Sequence, residues 1–167
     1  MNAKAILICG KICSGKSTYA EKLRKSNGAV LLSVDEITLA LFDENIGEKH
    51  DEVVAKTQQY LFAKGQEIIE AGKSVIFDWG FWTKKERGEA SRIFAEKNIP
   101  VEWHYIDVSD ETWQAYWDKR NAAVRSGEKK FYFIDNAVAR KFSTLFEAPS
   151  RNEIDFWITN NPINSES

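Results

Sequence analysis

The chain has 167 residues, of which 43% are hydrophobic and 29% charged, and a net charge of −2. That size and balance suit one compact soluble domain. They argue against strong non-specific binding to polynucleotides, which takes a basic face. No apolar run approaches the ~18 residues of a membrane-spanning helix, and the apolar start "MNAKAILICG" runs into a glycine-rich loop rather than a cleavage region, so a cytoplasmic protein off the membrane is expected.

In chain order, "KAILIC" (4–9) reads as a fully buried strand. "GKSTYAEKLRKSNG" reads as a helix that opens at the glycine loop and ends near Asn27 and Gly28. "AVLLSVDE" is a second strand and "EITLALFDEN" a short helix. Residues 43–52, rich in acids, read as an exposed loop. Asp51 to Ala71 has helical spacing, with Val54, Tyr60, Leu61, Ile68 and Ile69 inward and Gly72 as its stop. "KSVIFDWG" is a third strand. The helix "TKKERGEASRIFAEKN" starts at Thr83, with Glu86 at the capping-box spacing. "PVEWHYIDV" is a fourth strand. Ser109 caps the helix "DETWQAYWDKRNAAVRSG", and Trp113, Tyr116 and Trp117 on it read as a stripe packed on the sheet. "IDNAVARKFSTLFE" is a further helix and "EIDFWIT" a fifth strand. Alternating strands and helices predict an α/β domain with a parallel sheet covered on both faces. A single domain over residues 1–160, a disordered tail at 161–167 and a monomer or weak dimer are expected.

Two cysteines, Cys9 and Cys13, fall in the first strand and the loop after it. Neither they nor His50 and His104 have metal-ligand spacing. Both histidines read as surface or packing residues.

The segment "GKICSGKS" carries the chemistry. Gly10, four residues, Gly15, Lys16 and Ser17 match the P-loop spacing, between a buried strand and a helix as that motif requires. The amides of Gly10, Lys11, Ile12, Cys13, Ser14, Gly15, Lys16, Ser17 and Thr18 form the cradle for ATP phosphates. Lys16 reaches the β- and γ-phosphates and Ser17 ligates Mg²⁺. The N-terminus of the following helix adds partial positive charge. Asp35, after the second strand, and Asp78, after the third, fall on the same ligand-binding edge of the sheet. Asp78 is a candidate to hold Mg²⁺ through water or to orient substrate. Trp79, Phe81 and Trp82, around Gly80, offer a flat apolar surface to an acceptor. Residues 116–130 read as a basic lid. Its Arg120 and Arg125 offset charge on a transferred phosphoryl group, provided a break in the helix lets two arginines five residues apart converge.

With this P-loop, the chain from Lys4 to about Leu145 resembles a group of small P-loop kinases. It includes the phage polynucleotide 5′-hydroxyl kinase domain, the zeta-toxin kinases, chloramphenicol phosphotransferase and many sequences described as AAA family ATPases. The resemblance implies a P-loop NTPase fold with a five-stranded parallel sheet. It implies transfer of the ATP γ-phosphoryl group to a hydroxyl, with Asp35 as general base. The group's "KRN…R" stretch matches Arg120 and Arg125, and an arginine in the helix after the third strand matches Arg87, assigned to substrate. Polynucleotide kinases of the group usually carry arginine three residues after the base, where this chain has Thr38, which offers no bidentate fork. A small-molecule acceptor is therefore favoured over nucleic acid. The alternatives are a polynucleotide or RNA 5′-hydroxyl kinase and an ATP-binding switch without an acceptor.

Overall fold

A computed structural model describes residues 2–42, 47–127, 141–142 and 144–160. The end of the expected lid (128–130), most of the helix expected over 134–147 and the tail 161–167 lie outside these residues. Five strands, β1 (Ala5–Cys9), β2 (Val30–Ser33), β3 (Val75–Asp78), β4 (Val101–Asp107) and β5 (Phe156–Thr159), form one sheet in the order β2-β3-β1-β4-β5. All pairings are parallel. Around it lie α1 (Lys16–Asn27), α2 (Val34–Phe42), α3 (His50–Glu70), α4 (Lys84–Ala95) and α5 (Asp110–Arg125). Among these residues no helix is long and apolar enough to cross a membrane.

The apolar run of β1 is explained by its central place. Ile6 and Ile8 pack with Ala20 of α1, Ala29, Ile76 and Ile106 on one face. Ala5, Leu7 and Cys9 pack with Ile69 of α3, Phe77, and Ala90 and Phe94 of α4 on the other. A strand buried on both faces has no need of alternating polarity. Helix α3 approaches the sheet closely, because a Cβ on Gly65 would stand 2.3 Å from Phe77 Cζ.

The helix ends follow their capping residues. Thr83 and Glu86 close the expected box, with Glu86 N–H donating to Thr83 Oγ1 at 3.1 Å and Thr83 N–H to Glu86 Oε2 at 2.9 Å. Ser109 accepts from Thr112 N–H at 3.2 Å at the head of α5. Gly28 and Gly72 take left-handed conformations just past α1 and α3. Of the acidic stretch expected to be a loop over 43–52, residues 43–46 lie outside the described residues and the rest is structured. Gly47–Lys49 form a 3-10 turn and α3 begins at His50. Asp51 and Glu52 thus sit in a first turn, where carboxylates complement the helix dipole.

His104 is a packing residue, as its sequence context suggests. It is buried in β4 under the Phe156 ring. Its Nδ1 is hydrogen-bonded to the Tyr19 hydroxyl of α1 at 2.7 Å and its Nε2 to Glu102 Oε1 at 2.9 Å. Lys4 holds the other Glu102 oxygen. Burial pushes the imidazole below its ordinary 6.5, with Glu102 opposing. A depressed value means that the native state resists protonation. The stability held by neutral His104 is therefore present above pH 6.5 and is lost as pH falls through the lowered value. His104→Gln is expected to remove this acid-side loss, read as a flatter Tm profile from about pH 8 to about pH 5.

Candidate active site

The C-terminal edge of the sheet gathers the chemistry-bearing residues. β1 ends at Cys9, and the loop to α1 turns through Gly10 (φ 155°), Cys13 (φ 59°) and Gly15 (φ 92°). Gly10 has to be glycine, because a Cβ there would lie 2.9 Å from both Ile106 O and Ser14 Oγ. The Ser14 hydroxyl is fully buried beneath it and has no hydrogen-bond partner among the described residues.

Lys16 opens α1 and is half-buried. Its ammonium folds back into the loop and donates to Gly10 O at 3.0 Å and Lys11 O at 2.6 Å. Burial pushes the ammonium below its ordinary value. The carboxylates of Asp78, first, and Asp35 oppose this. Asp78 closes β3 beside both β1 and β2, in register with Ile8 and Ser33. It is buried, and burial pushes its carboxyl up, while a hydrogen bond from the Ser17 hydroxyl and the charge of Lys16 pull it back. The two residues assigned to a cation thus lie near each other. A hydroxyl and a carboxylate at the mouth of a phosphate loop fit Mg²⁺, which takes hard oxygen donors and is commonly held by one or two protein groups plus substrate phosphates.

Asp35 lies just past the strand to which its segment was assigned. β2 stops at Ser33, whose hydroxyl accepts from Glu36 N–H at 3.3 Å and so begins α2 at once. Asp35 is therefore an exposed carboxylate in the first turn of α2, on the rim of the cleft and near enough to act electrostatically on Lys16 and Asp78. Thr38 is only 1% exposed and turns its hydroxyl to Val34 O at 3.0 Å.

Two of the three aromatics after β3, Phe81 and Trp79, join the core. Phe81 takes a left-handed φ of 44° that turns its ring inward, leaving it 4% exposed. It stacks on Trp79 at 5.0 Å and meets Trp103 edge-on at 5.1 Å. Half-buried Trp79 also packs edge-on against Phe62 of α3. Trp82 folds over Gly80 and against Phe142, and a Cβ at Gly80 would stand 2.0 Å from its Nε1. Apolar burial outweighs any stacking surface offered to solvent.

Arg87, assigned to substrate by resemblance, is also drawn inside. At 3% exposure it donates to Phe81 O (3.2 Å), Trp82 O (3.4 Å), Glu147 O (2.9 Å) and Glu153 Oε2 (3.1 Å). The guanidinium ties together the aromatic segment, residue 147 and the approach to β5. Arg87→Ala is expected to cost about 3–5 kcal/mol in urea-monitored stability, because it leaves Glu153 and three carbonyls without their cation.

The stripe on α5 packs on the phosphate loop, not on the sheet. Trp117 packs with Ile12, Cys13 and Trp113. Trp113 Nε1 donates to Ile12 O at 2.6 Å, Arg120 Nη1 reaches Cys13 Sγ at 3.6 Å, and Lys11 pairs with Asp110 at 3.0 Å. α5 is unbroken from Asp110 to Arg125. Arg125 therefore lies about 140° around the helix from Arg120, exposed in the last turn. The helix break that convergence requires is absent from α5. Sequence reading also passed over Asn160, whose Nδ2 donates to Ser14 O at 2.9 Å. Its only signal was a polar residue directly after an edge strand.

Among curated proteins none matches this chain. Solved structures match it at low identity. A putative kinase from Chloroflexus aurantiacus is 16% identical with a TM-score of 0.73, over 95% of this chain and 88% of that one. The Mycobacterium tuberculosis APS kinase CysC, in complex with AMPPNP and APS, is 20% identical with a TM-score of 0.64, over 99% and 91%. A chain of the Pnkp1/Rnl/Hen1 RNA repair complex is 19% identical with a TM-score of 0.67, over 86% of this chain and 43% of its own length. These likenesses establish the P-loop NTPase fold seen in kinases, in keeping with the strand order and the loop of Gly10 to Ser17. Residues 6–149 match the AAA domain family, and the chain belongs to that family.

Proposed function

We propose that this chain is an ATP-dependent phosphotransferase that moves the γ-phosphoryl group to a hydroxyl of a small-molecule acceptor. The observation that carries this reading is the grouping of Lys16, Ser17 and Asp78 at the loop, with Asp35 exposed on the same rim. The kinase fold of its structural neighbours, one of them bound to AMPPNP, supports ATP as the donor.

The proposed roles follow from the geometry. The loop amides and the N-terminus of α1 bind phosphate oxygens. Lys16, now satisfied by two loop carbonyls, exchanges them for the β- and γ-phosphates, and this relieves a cation that burial disfavours. Ser17 and Asp78 would hold Mg²⁺, which supplies charge neutralisation across the β- and γ-oxygens when bound. Arg120, held at Cys13 beside the loop, offsets charge on the transferring group. Asp35 orients the acceptor hydroxyl and takes its proton.

Two observations favour a small acceptor over a polynucleotide. The net charge is −2, and Thr38 is buried with its hydroxyl committed to Val34 O. An ATP-consumption screen against pooled alcohols, nucleosides and 5′-hydroxyl oligonucleotides tests the choice. Tight, steeply salt-dependent turnover of the oligonucleotides would reverse it.

Lys16→Ala is expected to abolish transfer and leave the far-ultraviolet circular dichroism unchanged. Full activity in that variant removes the phosphate-loop assignment. Asp35→Asn is expected to lower kcat about 10²-fold or more with ATP·Mg²⁺ affinity little changed. A parallel collapse of ATP affinity would make Asp35 a metal or structural group instead. No change in either quantity would move the ATP-switch reading ahead.

A further inference from the structure

The phosphate loop is gripped from its outer side by two side chains far from it in sequence. Trp113, in the first turn of α5, donates its indole N–H to Ile12 O at 2.6 Å. Asn160, one residue past β5, donates its side-chain amide to Ser14 O at 2.9 Å. Both donors are themselves anchored. The Trp113 ring stacks on Trp117 at 5.7 Å. The Asn160 backbone N–H donates to Asp107 O at 2.7 Å, and the Tyr116 hydroxyl stands 3.5 Å from its Oδ1. Gly15 makes the second contact possible, since a Cβ there would lie 2.5 Å from Asn160 Nδ2.

A trans peptide is planar, so the carbonyl of one residue and the N–H of the next point in opposite directions. A donor that captures Ile12 O therefore turns the Cys13 N–H away from α5. A donor that captures Ser14 O turns the Gly15 N–H away from β5. The chain takes a left-handed conformation at Cys13, between these two peptides, and another at Gly15, just after the second. For Cys13 that conformation carries a steric cost of about 1–2 kcal/mol and needs outside support. Backbone N–H groups turned to one side by such alternation make an anion-binding concavity.

We propose that Trp113 and Asn160 are positioning residues that preset the Cys13 and Gly15 N–H groups for the nucleotide phosphates. The proposal rests on the reading of this loop as the ATP site. Neither residue touches the nucleotide. Each acts through the carbonyl it holds, which spares the loop the cost of reorganising when phosphate arrives. The same contacts tie the loop to α5, which carries Arg120.

The test uses the full chain with inorganic tripolyphosphate and AMPPNP as probes. Trp113→Phe keeps the ring and removes the donor, and Asn160→Ala removes the other donor. Each variant is expected to bind tripolyphosphate about three- to tenfold more weakly, the effect of one lost hydrogen bond. The amide NMR signals give a residue-specific pattern that general loosening does not. In the parent both the Cys13 and Gly15 amides shift on binding. In Trp113→Phe the Cys13 response is expected to shrink and the Gly15 response to persist, with the reverse in Asn160→Ala. Unchanged affinities, or equal weakening of both amide responses in each variant, overturns the proposal. The Trp113→Phe arm alone decides if Asn160→Ala does not fold. A parent chain that binds neither probe removes the ATP reading and this proposal with it, whereas normal parent binding with unaffected variants overturns the positioning role alone.

Discussion

The site turns on one half-buried lysine ammonium folded back into its loop. Lys16 enters a loop at the end of the most deeply buried strand, where desolvation disfavours its charge. Carbonyl dipoles from Gly10 and Lys11 and the carboxylate of Asp78 answer that cost. Asp78 is buried for the same reason, and its charge depends on Lys16 and the Ser17 hydroxyl. Each group is tolerable only because the others are present, as buried charge must be paired and hydrogen-bonded. A site assembled this way suits the proposed binding of polyanionic phosphate and its cation.

The sheet provides the rigidity that this arrangement needs. β1 lies between β3 and β4, so the loop starts from a strand fixed on both edges and both faces. Asp78 arrives on one neighbouring strand, and Asp107 on the other holds the backbone of Asn160. The loop is then closed from above by α5, whose tryptophans cover Ile12 and Cys13. Aromatic side chains that look available in the sequence are spent on this scaffolding. Phe81 and Trp79 join the cluster of Phe62, Phe77 and Phe94, and Arg87 stitches the segment beneath it.

The sequence by itself determined the fold class and the phosphate loop. Local chemistry accounts for that. Apolar runs of strand length, helical spacing, glycine stops and the Thr83 and Ser109 caps act over a few residues, and so does the spacing from Gly10 to Ser17. The proximity of Ser17 to Asp78 was also within reach, because strand ends on one sheet edge must converge. Tertiary structure alone decided what the remaining candidates do. Whether Arg87 faces a ligand or Glu153, whether Phe81 faces solvent or Trp103, and whether Trp113 covers the sheet or the loop depend on partners 22 to 101 residues away and on one left-handed turn. Asn160 became meaningful only once β5 was paired with β4 and its end brought beside Ser14, a contact spanning 146 residues. Side-chain types specify what a residue is able to bind, but burial and chain crossing settle which partner it meets, and neither is written in local spacing.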